Sequence, residues 1–178
     1  MAFKRIKRKK SEGKIAHKKT TVDKIKFDSK MESEFYKYLK AEEKAGRVKN
    51  FIMQPEYILQ PKYFVINGMI ITEDNKDYDK HDKLRKKHNK ENPNDKIDIV
   101  RAIKYIADFY IEYADGSVKV IDVKGIKTAD FKIKEKMFKF RYPHLPFECV
   151  IWDNPSKAWL EYSDYEKAKK ARKKAKKK

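Results

Sequence analysis

The stretch YIADFYIEYADGSVKVIDVKG, residues 105–125, constrains this chain more than any other. Two runs of β-branched and aromatic residues flank an Ala-Asp-Gly turn, which is the pattern of a β-hairpin. Yet Asp108, Asp122 and Lys124 stand where a buried strand wants Val or Ile. A carboxylate taken out of water is costly unless it is paired, hydrogen-bonded or bound to a metal. The fold must hold a hairpin that tolerates three ionisable groups.

Register decides whether those groups meet. A two-residue turn at Asp115-Gly116 would set Asp108 opposite Val123, with Asp122 and Lys124 on the other face. A three-residue loop, Ala114-Asp115-Gly116, would set Tyr113 opposite Ser117 and Asp108 opposite Asp122, with Gly116 as the left-handed residue. In that register Asp108, Asp122 and Lys124 share a face with Ile106, Tyr110, Val118 and Val120. The other face, Ala107, Phe109, Ile111, Ile121 and Val123, reads as core. Carboxylates opposed across strands repel unless a cation lies between them. Hard oxygen donors in that arrangement suit Mg²⁺ or Mn²⁺. On spacing alone, a solvated sheet face with an Asp–Lys surface pair would look the same.

The rest of the chain supplies an α+β frame around one mixed sheet, in the order α-β-β-β-α-β. Residues 29–45 predict a helix, with Met31, Phe35, Tyr38 and Leu39 on one face, Ser29 and Glu32 at capping-box spacing, and Gly46 as its stop. Residues 47–66 predict extended chain, broken by Pro55 and Pro61. Residues 72–98 carry eight basic and eight acidic residues and almost nothing to bury, so they predict a solvated insertion, partly helical or disordered. A second helix is predicted over 127–141, with Phe131, Met137 or Phe138, and Phe140 as its apolar residues. A further strand is predicted over 147–152. The single cysteine, Cys149, falls in that apolar run and reads as core rather than nucleophile. One cysteine excludes an intrachain disulfide and makes a reducing, cytoplasmic compartment the default.

The net charge is +19, and residues 1–19 and 167–178 hold +8 and +9 of it. The body between them is almost neutral. Blocks of like charge stay open and bind polyanions without reading sequence. The division is therefore a basic arm over 1–26, a domain over 27–162 and a basic, flexible tail over 163–178. No run approaches a membrane span, and the basic start lacks the apolar segment of a secretory signal.

At this point the residues resemble a known group. A helix bearing an acidic residue, then "ADF" on one strand, "IDVKG" on the next and a lysine-studded helix are similar to the restriction-endonuclease-like, PD-(D/E)XK superfamily. The more local resemblance is to small phage and prophage nucleases that are Holliday-junction-resolvase-like, through "FDSKMESEFYKYL", "KAGRVKNFIMQPEYIL", "YIADFYIEYADG" and "IDVKGIKT". It covers about residues 27–152 apart from the insertion. Ala107 stands where the superfamily's name has proline.

The resemblance implies a restriction-endonuclease-like core and a metal-dependent endonuclease acting on DNA, branched or double-stranded, in a phage-infected or lysogenic host. It implies that Asp108, Asp122, Glu32 and the Val123 carbonyl hold Mg²⁺ or Mn²⁺, and that Lys124 is the catalytic lysine. Glu34 is the rival to Glu32. Gln54 would contact substrate or satisfy backbone groups near Pro55. Lys127, Lys132, Lys134 and Lys136 would hold the DNA backbone, and cutting two symmetric strands would call for a homodimer. The alternative is a non-catalytic basic protein that binds nucleic acid through its tails. A DNA-facing pair of aspartates argues against it, because they repel phosphate.

Overall fold

A mixed five-stranded sheet carries the predicted hairpin at its centre. The computed structural model describes residues 20–176. Its elements begin with a small hairpin, β1 (Thr20–Val22) and β2 (Ile25–Phe27), followed by α1 (Lys30–Lys44) and β3 (Val48–Met53). Then come β4 (Glu56–Gln60), β5 (Tyr63–Ile66), β6 (Met69–Thr72), α2 (Tyr78–Glu91) and β7 (Ile103–Ile106). The chain closes with β8 (Phe109–Tyr113), β9 (Val118–Val123), α3 (Ala129–Arg141), β10 (Phe147–Asp153), β11 (Ala158–Glu161) and α4 (Tyr162–Ala175). The sheet runs β11-β10-β9-β8-β3. Only β9 and β10 pair in parallel, joined by the α3 crossover. The architecture is α+β, and α1-β3-β8-β9-α3-β10 keeps the expected order with other elements inserted or appended.

The hairpin adopts the three-residue loop. Tyr110 pairs with Val120 and Glu112 with Val118, a register that runs to Phe109 opposite Ile121, one residue short of Asp108 and Asp122. Tyr113 N–H donates to the Ser117 carbonyl at 2.9 Å, and Gly116 takes φ +82°, a conformation that strains any residue with a Cβ. The charged face is not a solvated face. Phe109, Ile111, Ile121 and Val123 pack against Phe35, Tyr36 and Leu39 of α1. Val120 packs on the other side with Phe131 and Phe138 of α3, Phe147 and Cys149. The sheet therefore has a core on both faces, and each fully buried Phe or Leu contributes about 2 kcal/mol.

Four expectations are corrected here. The arm assigned to 1–26 is structured from Thr20: β1 and β2 turn at Asp23-Lys24, both with positive φ. Residues 1–19 lie outside the described residues. In α1 the buried tyrosine is Tyr36, not Tyr38, because the β1–β2 hairpin covers that side and Asp23 accepts a hydrogen bond from the Tyr36 hydroxyl at 3.1 Å. The first strand of the expected hairpin is interrupted at Ala107-Asp108, which separates β7 from β8 and puts Ala107 on the α3 side. Of the apolar residues expected in α3, Phe131 and Phe138 are buried, but Phe140 is 88% exposed.

The insertion is ordered. β5 and β6 form a hairpin through Asn67-Gly68, a sequence suited to a two-residue turn that the expectation of plain extended chain overlooked. Phe64, Ile66 and Ile71 form a small core with Tyr78 and Ile97. No residue of α2 is buried, but Arg85 and Asn89 bind the Ile97 carbonyl and hold its far end down. The C-terminal stretch is also anchored: α4 places Arg172 against Asp153, a fully buried carboxylate at the end of β10. No helix among the described residues is long and apolar enough to cross a membrane.

Candidate active site

The site lies where β9 ends and β8 begins. The kink that makes it starts in the other pair of strands. Gln54, before Pro55, takes a left-handed φ of +51°, which is unfavourable for a residue with a side chain. Its N–H donates to the Asp108 carbonyl at 3.0 Å, and Ala107 N–H donates to the Pro55 carbonyl at 3.1 Å. Both chains bend together, so β4 and β7 peel away from the main sheet as a separate pair. Asp108 sits at the bend, where its Oδ2 accepts the Val123 N–H at 2.7 Å.

Asp122 is fully buried on β9. Its Oδ2 accepts a hydrogen bond from the Tyr105 hydroxyl. Its Oδ1 lies 2.9 Å from Lys124 Nζ. The approach is off the hydrogen-bond angle, so this buried oxygen has no hydrogen-bond donor among the described residues. Lys124 Nζ also lies 5.6 Å from the Phe131 ring centroid, over the first turn of α3. Thr128 starts that helix by accepting the Phe131 N–H at 3.2 Å.

Electrostatics follow from this crowding. Burial and then the neighbouring Asp122 charge push the Asp108 carboxyl up to about 8. Burial works against the Lys124 ammonium, but Asp122 and Asp108 outweigh it and hold the lysine charged. The Tyr105 hydroxyl is pushed far above its ordinary range by burial and by Asp122, so it stays a donor.

Glu32 reaches the site from α1. Ser29 caps the helix by accepting the Glu32 N–H at 3.1 Å and donates its hydroxyl to Glu32 Oε1 at 2.9 Å. Burial raises the Glu32 pKa, opposed by Ser29 and Lys124. With Asp108, Gln54, Lys26 and Met53, Glu32 lines an open cleft of about 170 Å³. Glu34 is turned to solvent and pairs with Lys37 at 3.2 Å.

The expected DNA-binding lysines divide. Lys132 and Lys136 are exposed, without a partner among the described residues. Lys134 pairs with Asp130 at 3.2 Å. Lys127 is 19% exposed and tied to Glu135 at 3.1 Å, so its charge is spent inside the protein. Val123 meets Asp108 through its N–H. Tyr105 was missed, because strict alternation sends residues 105 and 108 to opposite faces. Only the bend at Ala107-Asp108 brings them to the same carboxylate. Lys26 was missed because it was assigned to an unstructured arm. Among the described residues no three His, Cys, Asp or Glu side chains converge into a metal centre.

The model of one family, described as "Protein of unknown function (DUF1064)", matches residues 12–154. That span takes in the hairpin, the cleft and α3. No curated protein and no solved structure matches the chain.

Proposed function

The chain belongs to that family of proteins of unknown function, and from this premise we propose that it is a metal-dependent endodeoxyribonuclease with a restriction-endonuclease-like core. The observation that carries the reading is the cluster itself: the Asp108 carboxyl feels the neighbouring Asp122 charge, and Lys124 Nζ lies 2.9 Å from a buried Asp122 oxygen that accepts no hydrogen bond. A carboxylate buried beside a second one, with an oxygen held by an ion pair and no hydrogen bond, is costly in a protein that uses it only for stability.

The donor set fits a hard divalent ion in kind: all are oxygens, and one is buried with only the Lys124 ammonium beside it. Asp108, Asp122, Glu32 and the Val123 carbonyl would hold Mg²⁺ or Mn²⁺. Such an ion supplies water of lowered pKa and neutralises charge on a phosphate. Lys124 keeps its proton, so it acts as a cation that holds the attacking water or a non-bridging phosphate oxygen. Tyr105 fixes the orientation of the Asp122 carboxylate. Gln54 faces the cleft, where its amide reaches substrate, while its backbone shapes the bend. Lys132 and Lys136 hold the DNA backbone and position it without reading sequence. The substrate is branched recombination or replication DNA in the cytoplasm of a phage-infected or lysogenic cell. Cutting symmetric strands there takes two copies of the chain.

The test is incubation of linear, flapped and four-way DNA with Mg²⁺ or Mn²⁺, wild type beside Lys124→Ala. Metal-dependent cutting that falls on the order of 10³-fold in the variant is expected. Salt-sensitive binding with no cutting in either metal would overturn the nuclease and leave a non-catalytic nucleic-acid binder.

A further inference from the structure

The outward face of α3 carries an unusual combination. Lys132, Lys136 and Phe140 recur every four residues, and Ile133 lies beside them, so all four fall within one stripe opposite the buried Phe131 and Phe138. Phe140 is 88% exposed and Ile133 61% exposed. Lys132 and Lys136 are the cations of this helix left without a partner among the described residues, since Lys139 goes to Glu135 and Lys134 to Asp130. Scattered surface hydrophobes are ordinary. A ring this exposed, in line with two unneutralised ammonium groups, is not packed against anything and is flanked by charge of one sign.

We infer that this stripe is a strand-binding platform on which Phe140 stacks an unpaired base while Lys132 and Lys136 hold the phosphates before it. The inference rests on the nucleic-acid reading above and names the substrate class: DNA in which a base has left the duplex stack. Charge complementarity selects a polyanion over an apolar protein partner. An aromatic face is useless against a phosphate backbone but suits a base, whatever its identity. The stripe spans about 12 Å of helix, enough for a short run of nucleotides. The stripe starts at the end of α3 that follows β9, the strand that carries Asp122, after a short connection containing Lys124.

The experiment is metal-free binding in EDTA, followed by fluorescence anisotropy of labelled oligonucleotides at about 200 mM salt. The ligands are a single strand, a flapped duplex and a blunt duplex of equal length. Phe140→Ala is expected to weaken the first two about tenfold and the blunt duplex less than twofold. Phe140→Leu, which keeps an apolar side chain but no ring, behaves like Phe140→Ala. Phe140→Trp retains binding, and emission from the introduced indole is quenched by the single strand. Lys132→Ala/Lys136→Ala weakens all three ligands alike and lowers the salt slope on the single strand by about 1.4.

Equal affinities for wild type and Phe140→Ala on every ligand would overturn the platform, whether or not the protein cuts DNA. If Phe140→Ala instead dissociates a wild-type dimer in sedimentation and leaves affinities unchanged, the face is a contact between copies and the platform is overturned. Phe140-dependent preference for unpaired DNA, with no cutting in any metal, supports the platform and removes the hydrolysis.

Discussion

Asp122 and Asp153 are both fully buried carboxylates on the neighbouring parallel strands β9 and β10, and they are treated in opposite ways. Asp153 is satisfied. Arg172 binds both its oxygens, at 2.7 and 2.6 Å, and the Ser156 hydroxyl and N–H donate to Oδ2 at 2.6 and 3.1 Å. These donors hold its pKa far below the usual carboxylate range. Asp122 lies near another carboxylate, Asp108; Tyr105 donates to one of its oxygens, and the other has the Lys124 ammonium 2.9 Å away but no hydrogen bond. The first arrangement fastens α4 to the sheet. The second leaves a less satisfied charge behind Asp108, which lines the cleft. Burial of charge alone does not mark a site; the state of its hydrogen bonds does.

The sharpest way to break this contrast is a pair of substitutions. Asp122→Asn keeps the shape and the Tyr105 contact but removes a buried charge. DNA cleavage is expected to fall on the order of 10³-fold, with the melting temperature unchanged or raised. Asp153→Ala strands Arg172 and loosens α4. The melting temperature is expected to drop by about 5–10 °C, with cleavage per folded molecule retained. Calorimetry and a cleavage time course on both variants read the two quantities. A stability loss in Asp122→Asn as large as that in Asp153→Ala would make both carboxylates structural.

A smaller effect separates the regions by pH. Asp108 titrates near 8 in the folded chain against an ordinary 3.8, so the folded state keeps a proton that the unfolded state releases. The stability this adds is present below about pH 4 and is lost as pH rises towards 8. Asp153 has the opposite sign: its contribution is present above the ordinary carboxylate range and is lost as pH falls through its lowered folded value. Melting curves of Asp108→Asn should therefore lack the decline that wild type shows between pH 5 and 8. A parallel decline in both proteins would remove Asp108 from the account.

Cys149 offers the finest probe, since it pairs in register with Asp122 on the strand that ends in Asp153. Burial pushes its thiol up to about 12, so the folded protein should react with a thiol reagent at least tenfold more slowly than the unfolded chain. Asp153→Ala should raise the native labelling rate by a few fold through local opening, and Asp122→Asn should leave it unchanged. The reverse order would mean that the Asp122 end is the one holding β10 in place.

Much of this was legible in the sequence because it depends on neighbours in the chain. The α1 cap at Ser29, the Gly46 stop and the helix 127–141 follow from local spacing. The register of the β8–β9 hairpin follows from its loop length, once Gly116 is given the left-handed position. The crossover order follows from the alternation of apolar runs. The insertion's composition, with charges of both signs and little to bury, matches the exposed α2.

Only the tertiary structure decided which groups meet. The bend at Gln54 and Asp108 needs two strand pairs to kink together, and no periodicity in either strand records it. That bend brings Tyr105 to Asp122 and puts Ala107 on the α3 side. The choice of Tyr36 over Tyr38 depended on a hairpin packing from outside the helix. Lys127 was withdrawn from the surface by Glu135, and Phe140 was left on it by the packing of Phe131 and Phe138. Sequence periodicity determines which face a side chain can take. Long-range packing determines what waits on that face, and so which charges are paired, which are buried and which remain free.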